Sequence, residues 1–228
     1  MEALIVVHVG EIAYEDAWAL QRKLHQARCD DLIGDHLLLL SHPHTLTAGT
    51  RGGKPDRWEN LQANRGDLLA RGVALIDSDR GGDLTWQGPG QLVAYPIVHL
   101  GAYGSDVGHY VWMLEAMMIR ALSALGIEAA RSPGYPGVWI GSEKIAAIGA
   151  RIQRWVTMHG VALNLRGPLE GFGWILPCGL EGRGVTSVER QLPSPPPSDA
   201  DILALVTDAA GAVFDRAVEI RQEPQPIP

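Results

Sequence analysis

Residues 148–165, IGARIQRWVTMHGVALNL, place apolar side chains at alternate positions over most of their length. Ile148, Ala150 and Ile152 alternate with Gly149, Arg151 and Gln153, and Val161, Leu163 and Leu165 alternate with smaller or polar residues. A period of two belongs to a strand with one face on a core, so the stretch predicts an antiparallel hairpin or two neighbouring strands. Helical periods stand on either side of it. Tyr14, Ala17, Trp18 and Leu24 share a face over 14–28. Val111, Leu114, Met118, Leu122 and Leu125 share one that starts near Ser105 or Asp106 and stops at Gly126, a residue suited to a C-terminal cap. Ile202, Leu205, Val206, Ala209 and Val213 share a third, after the proline-rich QLPSPPPSD. Apolar runs at 4–9, 37–40, 74–79 and 92–98 read as further strands. Because strands and helices do not alternate regularly, the chain predicts an α+β fold, a mixed or antiparallel sheet flanked by helices.

A chain of 228 residues can bury a sizeable core. The expected organisation is one domain over 1–220 and a disordered tail over 221–228, RQEPQPIP. A formal net charge of -7 leaves no global positive field for nucleic acid or an anionic membrane. No apolar run approaches the ~20 residues that a spanning helix needs. The start, MEALIVVHVG, lacks the basic region of a secretory signal. Two cysteines, Cys29 and Cys178, make no disulfide framework and suit a reducing compartment. The expectation is a cytoplasmic protein that binds neither membrane nor nucleic acid, and a monomer, since nothing in the sequence demands an oligomer.

Residues 80–91, RGGDLTWQGPGQ, invite a phosphate-binding reading. They contain neither the GxxxxGK[ST] loop nor GxGxxG, and a strand-like LVAYPIV follows in place of a helix N-terminus. What remains is a run of glycines where backbone turns sharply or passes close to a ligand, with a glycine-rich turn as the plain alternative. Around WILPCGLEGRGVTSV, Cys178 sits between Pro177 and Gly179 in a loop-like setting, unlike a structural cysteine inside an apolar element. A nucleophilic cysteine needs a neighbouring cation or base to populate its thiolate. Lys144, a lone lysine entering an apolar strand, is one candidate, and His159 is the other. His42 and His44 in SHPHTL lack the third ligand of a catalytic zinc, so no metal is expected. Cys29 reads as structural or incidental.

Three segments, RGGDLTWQGPGQLVAYPI, GSEKIAAIGARIQRWVTMHGVALNL and LPCGLEGRGVTSV, stand in an order and spacing that resemble the lipoyl(octanoyl) transferases, or octanoyl-[acyl-carrier-protein]:protein N-octanoyltransferases. LLLLSHPHTLTAG near the start extends the likeness, which reaches to the proline-rich tether. The resemblance implies the fold of the biotin/lipoate protein ligase catalytic domain. It implies transfer of an octanoyl group from octanoyl-acyl carrier protein to a lysine of lipoyl domains, those of 2-oxoacid dehydrogenases and the glycine cleavage H protein, without ATP or any cofactor. Carried over by position, Cys178 would be the acyl-thioester nucleophile, Lys144 would lower its pKa, and His159 would be an accessory. Arg80, Gly81, Gly82, Asp83, Leu84, Thr85, Trp86, Gln87, Ala147, Ile148, Gly149, Gly160, Val161 and Ala162 would line the acyl substrate. Residues 144–169 hold Lys144, Arg151, Arg154 and Arg166 and no acid, so Arg151 and Arg154 are expected to help dock acidic partners.

The resemblance breaks at one position: Gln87 stands where most members carry histidine. Glutamine neither gives nor takes a proton near neutral pH, but its amide is both donor and acceptor, so Gln87 is expected to orient the site. Gln87→His is accordingly expected to leave pH–rate profiles without a new titration near neutrality. A many-fold gain in turnover accompanied by such a titration would overturn the orienting role.

Overall fold

The computed structural model describes residues 2–50, 56–176, 183–193 and 196–227. In chain order the elements are β1 (Leu4–Glu11), α1 (Tyr14–Cys29), β2 (His36–Ser41), β3 (Thr45–Ala48), α2 (Arg65–Ala70), β4 (Ala74–Asp77), β5 (Leu84–Gln87) and β6 (Gln91–Ile97). There follow α3 (Val107–Ala124), β7 (Ala130–Ser132), β8 (Tyr135–Ile140), β9 (Glu143–Gln153), β10 (Val156–Asn164), β11 (Gly184–Val185), α4 (Val188–Gln191), α5 (Asp199–Val213) and β12 (Val218–Arg221). Among the described residues one large sheet runs β12-β1-β2-β6-β10-β9-β8-β7, with β11 beside β9, and a small one runs β4-β3-β5. β1 is parallel to β12 and to β2, and β11 is parallel to β9; the remaining pairs of the large sheet are antiparallel. The fold is α+β, as the mixture of periods requires.

The sheet's centre explains the uninterrupted run at 37–40. On β2, Leu37 and Leu39 enter a core beneath α3 and α5, while Leu38 and Leu40 enter a second core with Ala17, Leu24 and Ala27 of α1 on the opposite face. A strand covered on both faces has no reason to alternate with polar residues. β6 divides its side chains the same way, Leu92 and Ala94 to one core and Val93, Tyr95 and Ile97 to the other. α3 buries Tyr110, Met113, Leu114, Met117, Met118, Ala121 and Leu122 as one stripe, and the Asp106 carboxylate caps it by accepting from the His109 N–H at 2.6 Å. α5 opens with a capping box between Ser198 and Asp201.

The hairpin read from residues 148–165 is β9–β10, and it begins earlier than the alternation, at Glu143. The small sheet and β12 have weaker sequence signals. β12 extends the sheet to Arg221, and beyond it the Gln225 N–H donates to His36 Nε2 at 3.1 Å while its Oε1 accepts from the Gly34 N–H at 3.3 Å.

Close approach accounts for Gly160: a Cβ there would stand 2.3 Å from the Ala94 carbonyl oxygen and 2.9 Å from Pro96 Cδ, at the β6–β10 seam. Gly160→Ala is therefore expected to cost about 1–3 kcal/mol in a urea titration. Gly104→Ala, with positive φ but open space around its Cβ, is expected to cost about 1 kcal/mol from backbone strain alone.

Candidate active site

The turn between β4 and β5 carries Arg80 into the protein, where it is 4 % exposed. Its Nε donates to Thr47 Oγ1 at 2.9 Å, Nη2 to the carbonyl oxygens of Thr47 and Asp83 at 2.6 Å each, and Nη1 to that of Gly81 at 2.9 Å. Four of its five N–H groups are thus satisfied by neutral oxygens. Among the described residues no carboxylate pairs with it directly. Glycines enclose the guanidinium: a Cβ at Gly49 or Gly82 would lie 2.9 or 3.3 Å from Nη1, and one at Gly149 would lie 3.0 Å from Cδ. Of the RGG glycines, Gly82 therefore makes room for the arginine beside it, while Gly81 makes room for the Ala150 carbonyl oxygen, 2.8 Å from where its Cβ would stand.

Arg80 opens on one side to a pocket of about 370 Å³ between the small sheet and the β6–β10–β9 part of the large one. Gly82, Asp83, Leu84, Thr85 and Gln87 form one wall; Ala147, Ile148, Gly149, Gly160, Val161 and Ala162 form the other. Lys144 and His159 also line it, with Gly134 of the β7–β8 turn and Tyr135 and Pro136 at the start of β8. Gly81 and Trp86 are not on the lining. Gly81 donates its N–H to the Ala150 carbonyl at 2.9 Å, which fastens the turn to β9. Trp86 is buried in the core of the small sheet, against Phe172 and beside Gly88 and Gly171.

Lys144 leaves β9 with its ammonium 4.7 Å from the centroid of the Trp139 ring. Cys178 lies outside the described residues, but the chain on either side of it is fastened at this pocket. Leu176 donates its N–H to the Asn60 carbonyl at 2.8 Å, and the Asn60 amide donates to Asp83 at 2.8 Å. On the far side the Arg183 guanidinium stacks 4.2 Å over Tyr135 and 4.9 Å over Trp139, and Gly184–Val185 pair with Glu143–Lys144.

His159 occupies the left-handed backbone region, φ 56°, inside a buried strand, an unusual conformation for a residue with a side chain. Its Nε2 is 2.7 Å from Asp79 and its Nδ1 is 3.4 Å from the Tyr14 hydroxyl. Asp79 is shared with Arg151, and burial together with the Arg80, Arg151 and Arg22 guanidinium groups pushes His159 down to about 3. The ring is neutral at pH 7, and with Nε2–H on Asp79 its Nδ1 is the acceptor for Tyr14. His42, buried beside Tyr95, is pushed down to about 4 by burial, which outweighs its hydrogen bond to the Ile12 carbonyl. The adjoining His44 turns to Trp86, whose Nε1 donates to it at 3.3 Å. Arg151 and Arg154, expected at the rim, are engaged with Asp79 and Asp30 of the chain itself. Cys29 lies 3.7 Å from the His25 ring nitrogens, away from the pocket.

Sequence reasoning placed Tyr14 only on the apolar face of α1 and did not single out Tyr95 or Asp79. Tyr95 was legible only as one side of β6, because alternation gives the face and not the partner.

Residues 13–209 match the family model of the lipoyl protein ligase A/B catalytic domain. The chain is 46% identical over 213 residues to an octanoyltransferase of Caldicellulosiruptor saccharolyticus, covering 92% of this chain and 88% of that one. In structure it resembles the bipartite lipoate protein ligase of Thermoplasma acidophilum, with TM-score 0.72 and 13% identity over 98% of this chain and 87% of the other. It also resembles the biotin protein ligase of Aquifex aeolicus, with TM-score 0.51 and 9% identity over 94% and 70%.

His42 and His159 both sit below the free imidazole value of about 6.5, so the unfolded chain binds protons that the folded chain refuses. Stability is full above pH 6.5 and falls with pH towards about 4 for His42 and about 3 for His159. From pH 7 to 5 each histidine is expected to cost the fold about 2 kcal/mol. Urea titrations at both pH values check this, and His159→Gln should flatten the dependence.

Proposed function

The chain belongs to the lipoyl protein ligase A/B catalytic-domain family and is an octanoyl-transferring acyltransferase of protein lipoylation, and from that premise we propose a two-step reaction through a thioester on Cys178. The donor is octanoyl-acyl carrier protein and the acceptor is a lysine of a lipoyl domain. The observation that supports the reading is that Lys144 and the described chain on both sides of residues 177–182 meet one pocket. Lys144 lines a pocket walled by β5, β9 and β10, and the chain flanking Cys178 is fastened to residues of the same pocket, Asp83 through Asn60 on one side and Tyr135 and Lys144 on the other.

The chemistry needs no nucleotide. Lys144 as ammonium favours the Cys178 thiolate, which attacks the donor's thioester carbonyl. The carbon–sulfur bond to the carrier breaks, and the departing thiolate takes a proton from Lys144. The second step uses the neutral amine so formed. The acceptor lysine's nitrogen bonds the carbonyl carbon, the bond to Cys178 breaks, sulfur leaves as thiolate, and Lys144 takes the proton that nitrogen sheds. Exchange of one thioester for another is nearly balanced, and amide formation draws the sequence forward. The buried Arg80 charge, without a paired carboxylate among the described residues, favours anions along this path. His159 has both ring nitrogens engaged and holds the wall.

Intact mass spectrometry after mixing with octanoyl-acyl carrier protein, without ATP, tests the proposal. The wild type should carry one octanoyl group and pass it to a lipoyl domain; Cys178→Ala should carry none. Lys144→Met should lower the rate of adduct formation at least roughly 10²-fold, the usual contribution of a positioned acid–base. An adduct retained by Cys178→Ala, or turnover that requires ATP as in a ligase, would reject the reading.

A further inference from the structure

Tyr95 holds its hydroxyl between two acceptors. Its Oη stands 3.0 Å from His42 Nε2 and 3.1 Å from Gln87 Oε1. The other ring nitrogen of His42, Nδ1, is 2.7 Å from the Ile12 carbonyl oxygen, which only accepts. Nδ1 therefore bears the ring proton and Nε2 is a bare lone pair. A second proton on the ring is excluded by burial, which pushes His42 down to about 4. One phenol proton thus faces two acceptors and can satisfy only one.

All three side chains are buried, Tyr95 at 2 % exposure and Gln87 at 5 %, so opposed lone pairs here are costly. A half-turn of the Gln87 amide removes the conflict at no steric cost, because its two ends have nearly the same shape. Tyr95 then donates to His42 Nε2, and the Gln87 –NH2 donates to Tyr95 Oη. Gln87 Oε1 is left facing the pocket. Among the described residues the Gln87 amide has no hydrogen-bond partner other than Tyr95, so its second end is available to a ligand.

Resting on the acyl-transfer reading above, we propose that Gln87 Oε1 is the acceptor that holds the amino group of the incoming lysine, with Tyr95 and His42 as positioning residues that fix its direction. The octanoyl chain brings only methylenes and a carbonyl to the pocket, and neither donates a hydrogen bond. The amine is the N–H-bearing reactant of the second step, and Gln87 shares the pocket with Lys144, the group that receives its proton. An amide oxygen holds an N–H without removing the proton, so Gln87 aligns the nitrogen and Lys144 does the acid–base work.

Single-turnover measurements on the full chain separate the two steps: adduct formation from octanoyl-acyl carrier protein, and transfer from isolated acyl-enzyme to a lipoyl domain. Gln87→Leu is expected to lower the ratio of transfer rate to adduct-formation rate roughly 10- to 100-fold, the range for losing a hydrogen bond to a nitrogen that gains positive charge as it bonds the carbonyl carbon. Gln87→Glu, which keeps an acceptor facing the pocket, should restore most of that ratio. Tyr95→Phe should lower it too, and in the double variant with Gln87→Leu should add little. An unchanged ratio in Gln87→Leu, with adduct formation falling as far as transfer, would overturn the proposal and assign Gln87 to the donor's amide-bearing arm. An unchanged ratio with both rates intact would overturn it outright. Absence of any adduct on the wild type would instead reject the two-step reading itself.

Discussion

The buried Arg80 guanidinium is the joint on which the two sheets turn. Thr47 of β3 and the carbonyls of the β4–β5 turn satisfy it, while Gly149 and Ala150 of β9 close over the same turn. A charge removed from water is tolerated only when its donors find oxygens, and breaking such an arrangement leaves an uncompensated ion. Every oxygen here comes from β3 or from the turn, so Arg80 locks the turn to the small sheet, and the Gly81 N–H bond to the Ala150 carbonyl, with Gly149 packed on the arginine, fastens that locked turn to β9 of the large one. The pocket is the space that this joint holds open.

That dependence explains which parts of the molecule were legible in its sequence. Period-two alternation over 148–165 identified the β9–β10 hairpin, and helical stripes identified α1, α3 and α5, because those patterns repeat within one element. LLLL read as a buried strand because both faces of β2 are covered. β3 and β5 were not legible, since four residues each give too short a run and their stability comes from Arg80 and Trp86, partners distant in sequence. The glycines of 80–91 were legible as close contacts, though their neighbours differ from the expectation of a ligand: Gly82 faces Arg80, Gly88 faces Trp86, and Gly90 faces Arg166. Lys144 and the segments at 82–85, 147–149 and 160–162 converge on one pocket, while Trp86 serves the small core.

Gln87, read from the sequence as a departure from the pattern it resembles, sits in a part of the wall where protons are scarce. Tyr95, His42 and Gln87 make a chain in which each hydrogen has one place to go. A histidine at position 87 would bring a choice of tautomers to that chain; a glutamine brings one end that only donates and one that only accepts. The site exchanges protonic versatility for a direction that does not change with pH.

The β9–β10 turn, Arg154–Trp155, lies far from the pocket, yet both of its residues take positive φ, 53° and 61°, the twist that a tight two-residue hairpin requires. The hairpin counts outward from that turn: Ala150 meets His159, Gly149 meets Gly160, and Ala147 meets Ala162. Adding or removing one residue there would slide one strand past the other and turn alternate side chains to the opposite face. The turn therefore acts as the origin of a ruler along which the facing walls are marked off, and the pocket inherits its dimensions from a bend that is not part of its lining.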